Sequence, residues 1–248
     1  MARDAGYPMT TRLAIERRPG VTIVRLDDAA NRNRLDDGMI ASIHTALDEI
    51  DPAQVLVLRG NGDGFSAGRP HATGGHPDGP AAARRALDDV VRLNLRISQW
   101  PAPTLAFIHG YANGAALGIL QHVDVVVAAR GTRLSFPEIT YHLPPGLVAS
   151  YLRRFVNEKA ARYLVMTGDE VDADRGAELG LVSSVVVPEQ LDAEAERLIA
   201  HFTERLDAET ALKATLAALS PVTADLHDAM QRGLADVIAF ARRPKPTA

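Results

Sequence analysis

The fold is decided by a stretch near the middle of the chain, which reads TLAFIHGYANGAALGILQHVDVVV from Thr104 to Val127. Its first residue, Thr104, is followed by the apolar run Leu105 to Ile108, and this segment predicts a buried strand. A glycine-containing turn leads into a short helix at about 115–121, and a second apolar strand follows at 123–127. This order of strand, turn, helix and strand predicts a sheet covered by helices, the α/β class.

The same alternation extends outward from this stretch. Apolar runs predict strands at 21–26 and 55–58, and helical spacing of apolar residues predicts a helix between them, from Met39 to Ile50. Composition predicts another helix at 81–99. Beyond Pro137 the pattern becomes mostly helical, with predicted helices at 146–155, 158–166, 173–179, 191–206 and 221–240. We therefore expect a core at residues 1–190 and a C-terminal helical region at 191–248.

Composition excludes several classes of protein. With 46% hydrophobic and 23% charged residues in 248 positions, the chain is expected to be globular. A formal net charge of -4 provides no basic surface for nucleic acid, which is not an expected partner. The chain has no cysteine, so disulfides and cysteine nucleophiles are excluded. Residues 1–11 contain no long apolar run, so we expect a cytoplasmic protein without a membrane partner.

Two turns that follow predicted strands contain glycine and carry small residues. They are Phe65-Ser66-Ala67-Gly68-Arg69 and Gly110-Tyr111-Ala112-Asn113-Gly114-Ala115. The second turn opens a helix, so the first N–H groups of that helix lack partners within it. From the pattern alone, these are either ordinary tight turns or two sets of N–H donors for one ligand oxygen.

Five motifs in order, together with the C-terminal segment, resemble the enoyl-CoA hydratase/isomerase (crotonase) family from about residue 12 to 246. The motifs are Phe65-Ser66-Ala67-Gly68, the segment 109–114, Ser135-Phe136-Pro137-Glu138-Ile139, and the segments 164–169 and 177–182, and the closing segment is 239–244. The resemblance implies a crotonase-like spiral of ββα units followed by a helical C-terminal trimerisation region. It also implies an acyl-CoA substrate, with coenzyme A as part of that substrate and no further cofactor.

The resemblance implies that two backbone N–H groups hold the thioester oxygen, and by motif position these belong to Arg69 and Ala115. Ala67, Gly68 and Gly114 then line the substrate site. Proton removal next to a thioester places negative charge on that oxygen, and fixed donors stabilise it. The chain departs from the family pattern at Pro70, where Asp is common, and at Ala115-Ala116, where glycines are usual. Neither change removes a backbone donor.

The carboxylates distinguish the possible reactions. Hydratases of this family use two glutamates; the second matches Glu138, and the first matches Gly118, which has no side chain. The remaining single base resembles that of the Δ3,Δ2-enoyl-CoA isomerases and favours double-bond isomerisation. The alternatives are a hydratase that recruits His122 or His142, a decarboxylase or hydrolase of the same fold, and a non-catalytic acyl-CoA binder.

Several further residues are candidate substrate contacts. Tyr141 and His142 follow Glu138 by one turn, and His122 follows Gly118 by one turn. Lys245, with Arg243, resembles a basic tail that contacts nucleotide phosphates. His71 and His76 flank a glycine-rich segment, but no third ligand is near in sequence, so no metal site is expected.

The predicted helical tail from Leu191 onward has an apolar face without an obvious partner in the main body. Together with the resemblance, this feature predicts a homotrimer or a dimer of trimers.

Overall fold

The computed structural model describes residues 12–70, 79–219 and 226–241. The strands in these residues are β1 (Leu13–Arg18), β2 (Val21–Leu26), β3 (Val55–Gly60), β4 (Thr104–Ile108), β5 (Tyr111–Asn113), β6 (Val125–Ala129), β7 (Arg133–Ser135), β8 (Val171–Asp172) and β9 (Ser184–Val186). The helices are α1 (Asp37–Asp48), α2 (Pro80–Ser98), α3 (Ala115–Leu120), α4 (Gly146–Tyr151), α5 (Glu158–Thr167), α6 (Ala173–Leu179), α7 (Leu191–Glu204), α8 (Leu206–Leu219) and α9 (Leu226–Ala241).

The strands form two sheets. The main sheet has the order β1-β2-β3-β4-β6-β9, in which β1 and β2 are antiparallel and the other neighbouring strands are parallel. The smaller sheet has the order β5-β7-β8. From β4 to β5 and again from β6 to β7, the chain passes from the main sheet to the smaller one. This repeated passage, followed after β5 by α3, confirms the α/β class that the sequence predicts and agrees with the spiral that the resemblance implies.

Helices cover both faces of the main sheet. Alternate residues of each strand point to opposite faces, so each strand contributes side chains to both sides. In β3, Val55 and Val57 belong to a cluster that includes Leu191, Ala195 and Ile199 of α7. Leu56 and Leu58 belong to the larger core on the other face, together with α1, α2 and α3. The apolar face of α7 therefore has a partner in the body, and the expectation that the whole tail from Leu191 lacks one is wrong for this helix.

The predicted helix at 191–206 is α7, which ends at Glu204, and α8, which was not predicted, follows it. Arg205 leaves helical geometry with φ −120° and ψ 22°, so α7 ends and α8 begins there. No residue of α8 is buried. Lys213 nevertheless ties α8 to the body, since its Nζ donates to Asp124 Oδ2 at 2.7 Å and to the carbonyl of Ala102 at 3.0 Å.

Helix α9 packs directly against α4. At their crossing, a Cβ added at Gly146 would lie 2.8 Å from the carbonyl oxygen of Gly233, so the two backbones approach more closely than side chains would allow. This contact holds α4 against the body, and α4 ends in Tyr151. Among the described helices, none combines the length and apolar character needed to cross a membrane.

Candidate active site

The two glycine-containing turns lie side by side. Ser66 forms a parallel bridge with Ala112, and the N–H of Asn113 donates to the carbonyl of Ser66 at 3.1 Å. Gly68 has φ +73°, and a Cβ there would overlap the carbonyl of Asn113 and lie 3.4 Å from the nitrogen of Ala115. Glycine is therefore required at position 68 both by its backbone angle and by the approach of the second turn.

The two predicted donors sit at the ends of these turns. Ala115 is the first residue of α3, so its N–H has no partner within the helix. The N–H of Arg69 follows Gly68, whose carbonyl accepts from the N–H of Leu35 at 3.0 Å. Neither donor forms a hydrogen bond to another backbone group of the described residues. As far as the described residues show, both N–H groups can donate to a bound ligand.

The side chain of Arg69 is directed elsewhere. Its Nη2 donates to Oδ1 of Asp37 at 2.6 Å, and its Nη1 donates to the carbonyl of Leu35 at 3.3 Å. The guanidinium thus links the first turn to the start of α1. Ala67 is partly exposed, and its N–H donates to the carbonyl of Arg32 at 3.0 Å.

Strand pairing brings Glu138 to the second turn. In the smaller sheet, Asn113 of β5 pairs with Ser135 of β7, and the N–H of Gly114 donates to the carbonyl of Ser135 at 2.8 Å. The chain then enters the 3-10 helix Pro137–Tyr141, which carries Glu138. A Cβ added at Gly114 would lie 2.8 Å from Oε1 of Glu138, so the carboxylate lies directly over the start of α3.

The carboxyl group of Glu138 is poorly solvated. The residue as a whole is partly exposed, but Oε2 is inaccessible to solvent and has no hydrogen-bond partner. Burial raises the pKa of Glu138 to about 7, and a hydrogen bond from its own backbone N–H opposes the rise. A carboxyl with this pKa can both accept and return a proton near neutral pH.

The space beside Gly118 is filled by a residue that the sequence does not indicate. The hydroxyl of Tyr151, at the end of α4, lies 2.4 Å from where a Cβ of residue 118 would be, closer than any side-chain atom there could tolerate. Gly118 is one turn from Gly114 in α3, with its N–H donating to the carbonyl of Gly114 at 2.9 Å. Glu138 and Tyr151 therefore approach the same helix, about one turn apart.

Tyr151 is fully buried and stays protonated. Burial raises its pKa far above the ordinary value for a phenol, and the nearby charge of Glu138 adds to the rise. A hydrogen bond from the side chain of Asn94 acts in the opposite direction. Oδ1 of Asn94, a buried residue of α2, has no hydrogen-bond partner.

His122 packs against Tyr151 and does not itself fill the space over Gly118. Its ring centroid is 4.9 Å from that of Tyr151 and 5.3 Å from that of Phe155, the latter with edge-to-face geometry. Neither ring nitrogen has a hydrogen-bond partner, and burial lowers the pKa of His122 to about 3. The imidazole is therefore neutral at physiological pH, and its surroundings are those of a packed core residue.

The other predicted contacts are more exposed. Tyr141 is 45% exposed, and His142 is exposed, with φ +59° at the end of the 3-10 helix that carries Glu138. Its N–H donates to the carbonyl of Ile139 at 3.0 Å, which closes that helix. Lys245, Arg243, His71 and His76 lie outside the described residues.

Tyr151 and Asn94 are the two polar site residues that sequence reasoning missed. Both lie in helices whose apolar pattern indicates core packing, where a tyrosine and an asparagine attract little notice. The available signal was the glycine at position 118, because a missing side chain in a packed interior implies that another group fills its space.

Known proteins resemble this chain in sequence and in fold. A family model described as enoyl-CoA hydratase/isomerase matches residues 21–239. A provisionally named enoyl-CoA hydratase of Thermus thermophilus is 34% identical over 183 residues, which are 72% of each chain. The 1,2-epoxyphenylacetyl-CoA isomerase of Escherichia coli is 28% identical over 73% of this chain and 72% of its own. The solved enoyl-CoA hydratase of Mycobacterium avium subsp. paratuberculosis superimposes with a TM-score of 0.82 at 24% identity, covering 94% of this chain and 95% of that one.

Proposed function

This chain belongs to the enoyl-CoA hydratase/isomerase family, and we propose that it moves a carbon–carbon double bond in an acyl-CoA thioester through an enolate, with Glu138 as the only base. The observation that carries the proposal is that Oε2 of Glu138 is buried without a hydrogen-bond partner while Gly118 has no side chain. One group that accepts and then returns a proton is sufficient for isomerisation.

The proposed reaction begins with a 3-enoyl thioester whose oxygen accepts hydrogen bonds from the N–H groups of Arg69 and Ala115. Glu138 removes a proton from carbon 2, and the electron pair left behind is delocalised onto the thioester oxygen. The positive end of α3 and the two N–H groups stabilise this charge. Glu138 then returns the proton at carbon 4, which leaves the double bond between carbons 2 and 3.

A hydration mechanism that uses two carboxylates is disfavoured, because the side chain next to Gly118 is the phenol of Tyr151. Tyr151 is a phenol with a strongly raised pKa, so it can donate a hydrogen bond but cannot replace a carboxylate as a base at neutral pH. No cofactor other than the coenzyme A of the substrate enters this scheme. The names of the relatives include both hydratase and isomerase, so the reaction itself must be measured.

The test is incubation of the protein with 3-enoyl-CoA and 2-enoyl-CoA esters of several chain lengths in deuterated water. We expect deuterium at carbon 2 and interconversion of the two esters, without 3-hydroxyacyl product. Glu138→Gln keeps the shape and removes the base, so exchange and isomerisation should fall roughly a hundredfold or more. Rapid formation of 3-hydroxyacyl-CoA contradicts the proposal, and binding without turnover of any ester identifies a non-catalytic binder instead.

The chain offers a matched control for this substitution. Glu189 also follows a proline at the start of a short 3-10 helix, Pro188–Gln190, but its side chain is exposed. Glu189→Gln makes the same substitution in the same kind of local backbone, but at an exposed side chain. Its activity should equal that of the unchanged protein, so a loss specific to Glu138→Gln reports on the site.

A further inference from the structure

Asn113 connects the two glycine-containing turns with the strand that leads to Glu138. Its N–H donates to the carbonyl of Ser66, in the first turn, at 3.1 Å. Its own carbonyl lies so close to Gly68 that a Cβ there would overlap it. Its side-chain Oδ1 accepts a hydrogen bond from the hydroxyl of Ser135, in β7, at 3.1 Å. Asn113 therefore contacts the first turn through its backbone and the strand of the base through its side chain.

Backbone pairing joins β5 and β7 over a short distance only. The strands pair at three positions, and the last of these is Asn113 with Ser135. One further bond follows, from the N–H of Gly114 to the carbonyl of Ser135 at 2.8 Å. Beyond it, Gly114 turns its chain into α3 with φ +52°, and Pro137 has no N–H to extend the ladder. The bond between the two side chains thus lies where the strands diverge.

The hydrogen bond from Ser135 to Asn113 is largely sheltered from water. Ser135 is 5% exposed, and Asn113 is partly buried. A buried hydroxyl that gives up its partner leaves a polar group unsatisfied, which is costly, so the bond persists. Side chains of directly paired residues stabilise the pairing of their strands. This bond therefore restricts movement of β7 relative to β5.

The proposed reaction depends on the relation between these two strands. The N–H of Ala115 lies two residues after Asn113, and Glu138 lies three residues after Ser135. Glu138 must reach the carbon next to the thioester whose oxygen the N–H of Ala115 holds. A misplacement of about 1 Å between reacting groups can cost on the order of a hundredfold in rate.

We propose that the hydrogen bond between Ser135 and Asn113 holds the base Glu138 in a fixed position relative to the two N–H donors, so that Ser135 and Asn113 are positioning residues for the proton transfer. This inference rests on the proposed function for the role of Glu138. The contacts of Asn113 with the first turn pass through its backbone, and they remain when its side-chain bond is broken. Loss of that bond should therefore preserve substrate binding and slow the proton transfer.

The test compares Ser135→Ala, Asn113→Leu and the double variant with the unchanged protein. Deuterium exchange at carbon 2 is followed with the enoyl-CoA ester that the unchanged protein uses fastest. We expect kcat to fall roughly tenfold in each single variant, with KM within about twofold. The double variant should be no slower than the single variants, because both substitutions break the same bond. An unchanged kcat, a loss confined to KM, or losses that multiply in the double variant overturn the proposal.

Thr22 provides a matched control. Its hydroxyl also donates to a side-chain amide oxygen, Oε1 of Gln54, at 2.8 Å, and the residue is 1% exposed. Thr22 lies near the beginning of β2 and Gln54 just before β3, whereas the first turn follows the other end of β3. Thr22→Val removes a bond of the same kind, so kcat should equal that of the unchanged protein even where stability falls.

A second measurement separates this inference from the proposed function. Hydrogen exchange at the N–H of Gly114, which donates to Ser135, needs no substrate. It should quicken in Ser135→Ala and Asn113→Leu by more than in Thr22→Val, because the end of the ladder loosens. An unchanged rate at Gly114 overturns the inference whatever reaction the protein catalyses. Absence of exchange at carbon 2 of every ester in the unchanged protein contradicts the proposed function instead, and the rate at Gly114 still decides whether the bond holds the strands.

Discussion

The hydroxyl of Tyr151 lies only 2.4 Å from the position that a Cβ of residue 118 would take, so Gly118 and Tyr151 are a sterically coupled pair. Gly118→Ala should destabilise the protein by about 1–3 kcal/mol, because the added methyl must displace a fully buried ring. After Tyr151→Phe the nearest ring atom, Cζ, would be 3.8 Å from that methyl, an ordinary contact. Gly118→Ala should then be neutral or slightly stabilising, since alanine favours a helix over glycine.

Urea unfolding of the two single variants and the double variant measures this coupling. We expect an interaction free energy of about 1–3 kcal/mol between the two positions. Gly38 is an exposed glycine of α1 at which a Cβ would meet no atom closer than 3.5 Å, so Gly38→Ala is the matched control and should not destabilise. Additive effects at 118 and 151 would show that the hydroxyl does not occupy this space.

This pair also marks the limit of what the sequence could predict. The strand Thr104–Ile108, the helix Ala173–Leu179 and the turn that opens α3 follow from apolar runs and glycines, which act locally. The place of Glu138 follows from its motif. The contact between Tyr151 and Gly118 depends on how α4 packs over α3, and no local pattern encodes that packing.

The short strands of the smaller sheet were missed for a similar reason. β5 and β7 have three residues each, and β8 has two, so none is long enough to show an alternating pattern. Their pairing nevertheless brings Ser135 beside Asn113 and thereby brings Glu138 to Gly114. Helix α8 was also missed, because the predicted helices end at residue 206 and resume at 221, and the structure places α8 between them.

Helix α8 should loosen when its polar anchor is removed. Lys213 reaches Asp124, which also accepts from the N–H and the hydroxyl of Thr104 at 2.7 and 2.8 Å. Lys213→Met should lower the free energy of unfolding by about 1 kcal/mol, a modest loss because Asp124 is partly solvated and retains Thr104. Hydrogen exchange should quicken in α8 but not in α7. Lys159→Met, at an exposed position of α5, is the control, and unchanged exchange in α8 would contradict the anchoring role.

The exposed leucines of α8 should mediate assembly of the expected trimer. Leu212, Leu216 and Leu219 are 52%, 59% and 76% exposed and lie on one face of the helix. Leu216→Glu should reduce the mass measured by sedimentation velocity at micromolar concentration, because it places a charge within that apolar face. Ala214→Glu, on the opposite face of the same helix, should leave the mass unchanged. A monomeric unchanged protein would contradict the prediction.

Activity should depend on pH through Glu138. The base must be ionised to remove a proton, and burial raises its pKa to about 7. The value of kcat/KM for deuterium exchange at carbon 2 should therefore fall about tenfold per pH unit below roughly 7, and should level off above it. A profile that stays level down to about pH 5 would mean that the carboxyl of Glu138 is better solvated than its buried Oε2 indicates, or that another group is the base.

Stability should also depend on pH, with Glu138 and His122 acting in opposite directions. Because folding raises the pKa of Glu138 from 4.5 to about 7, the folded state holds a proton that the unfolded state releases, and stability falls as the pH rises through this interval, by about 3 kcal/mol in all. Folding lowers the pKa of His122 from 6.5 to about 3, so stability falls as the pH drops below 6.5, by about 2 kcal/mol at pH 5.

Between pH 5 and 6.5 the contributions of Glu138 and His122 to stability therefore largely cancel in the unchanged protein. Substituting one of the two residues should reveal the contribution of the other. In Glu138→Gln, acidification from pH 7.5 to 5 should destabilise the protein more steeply than it does the unchanged chain, because only the loss from His122 remains. In His122→Leu, the same acidification should stabilise it, because only the gain from Glu138 remains. Urea unfolding of the three proteins at half-unit pH intervals distinguishes these slopes, and parallel curves would show that neither group is buried as the structure places it.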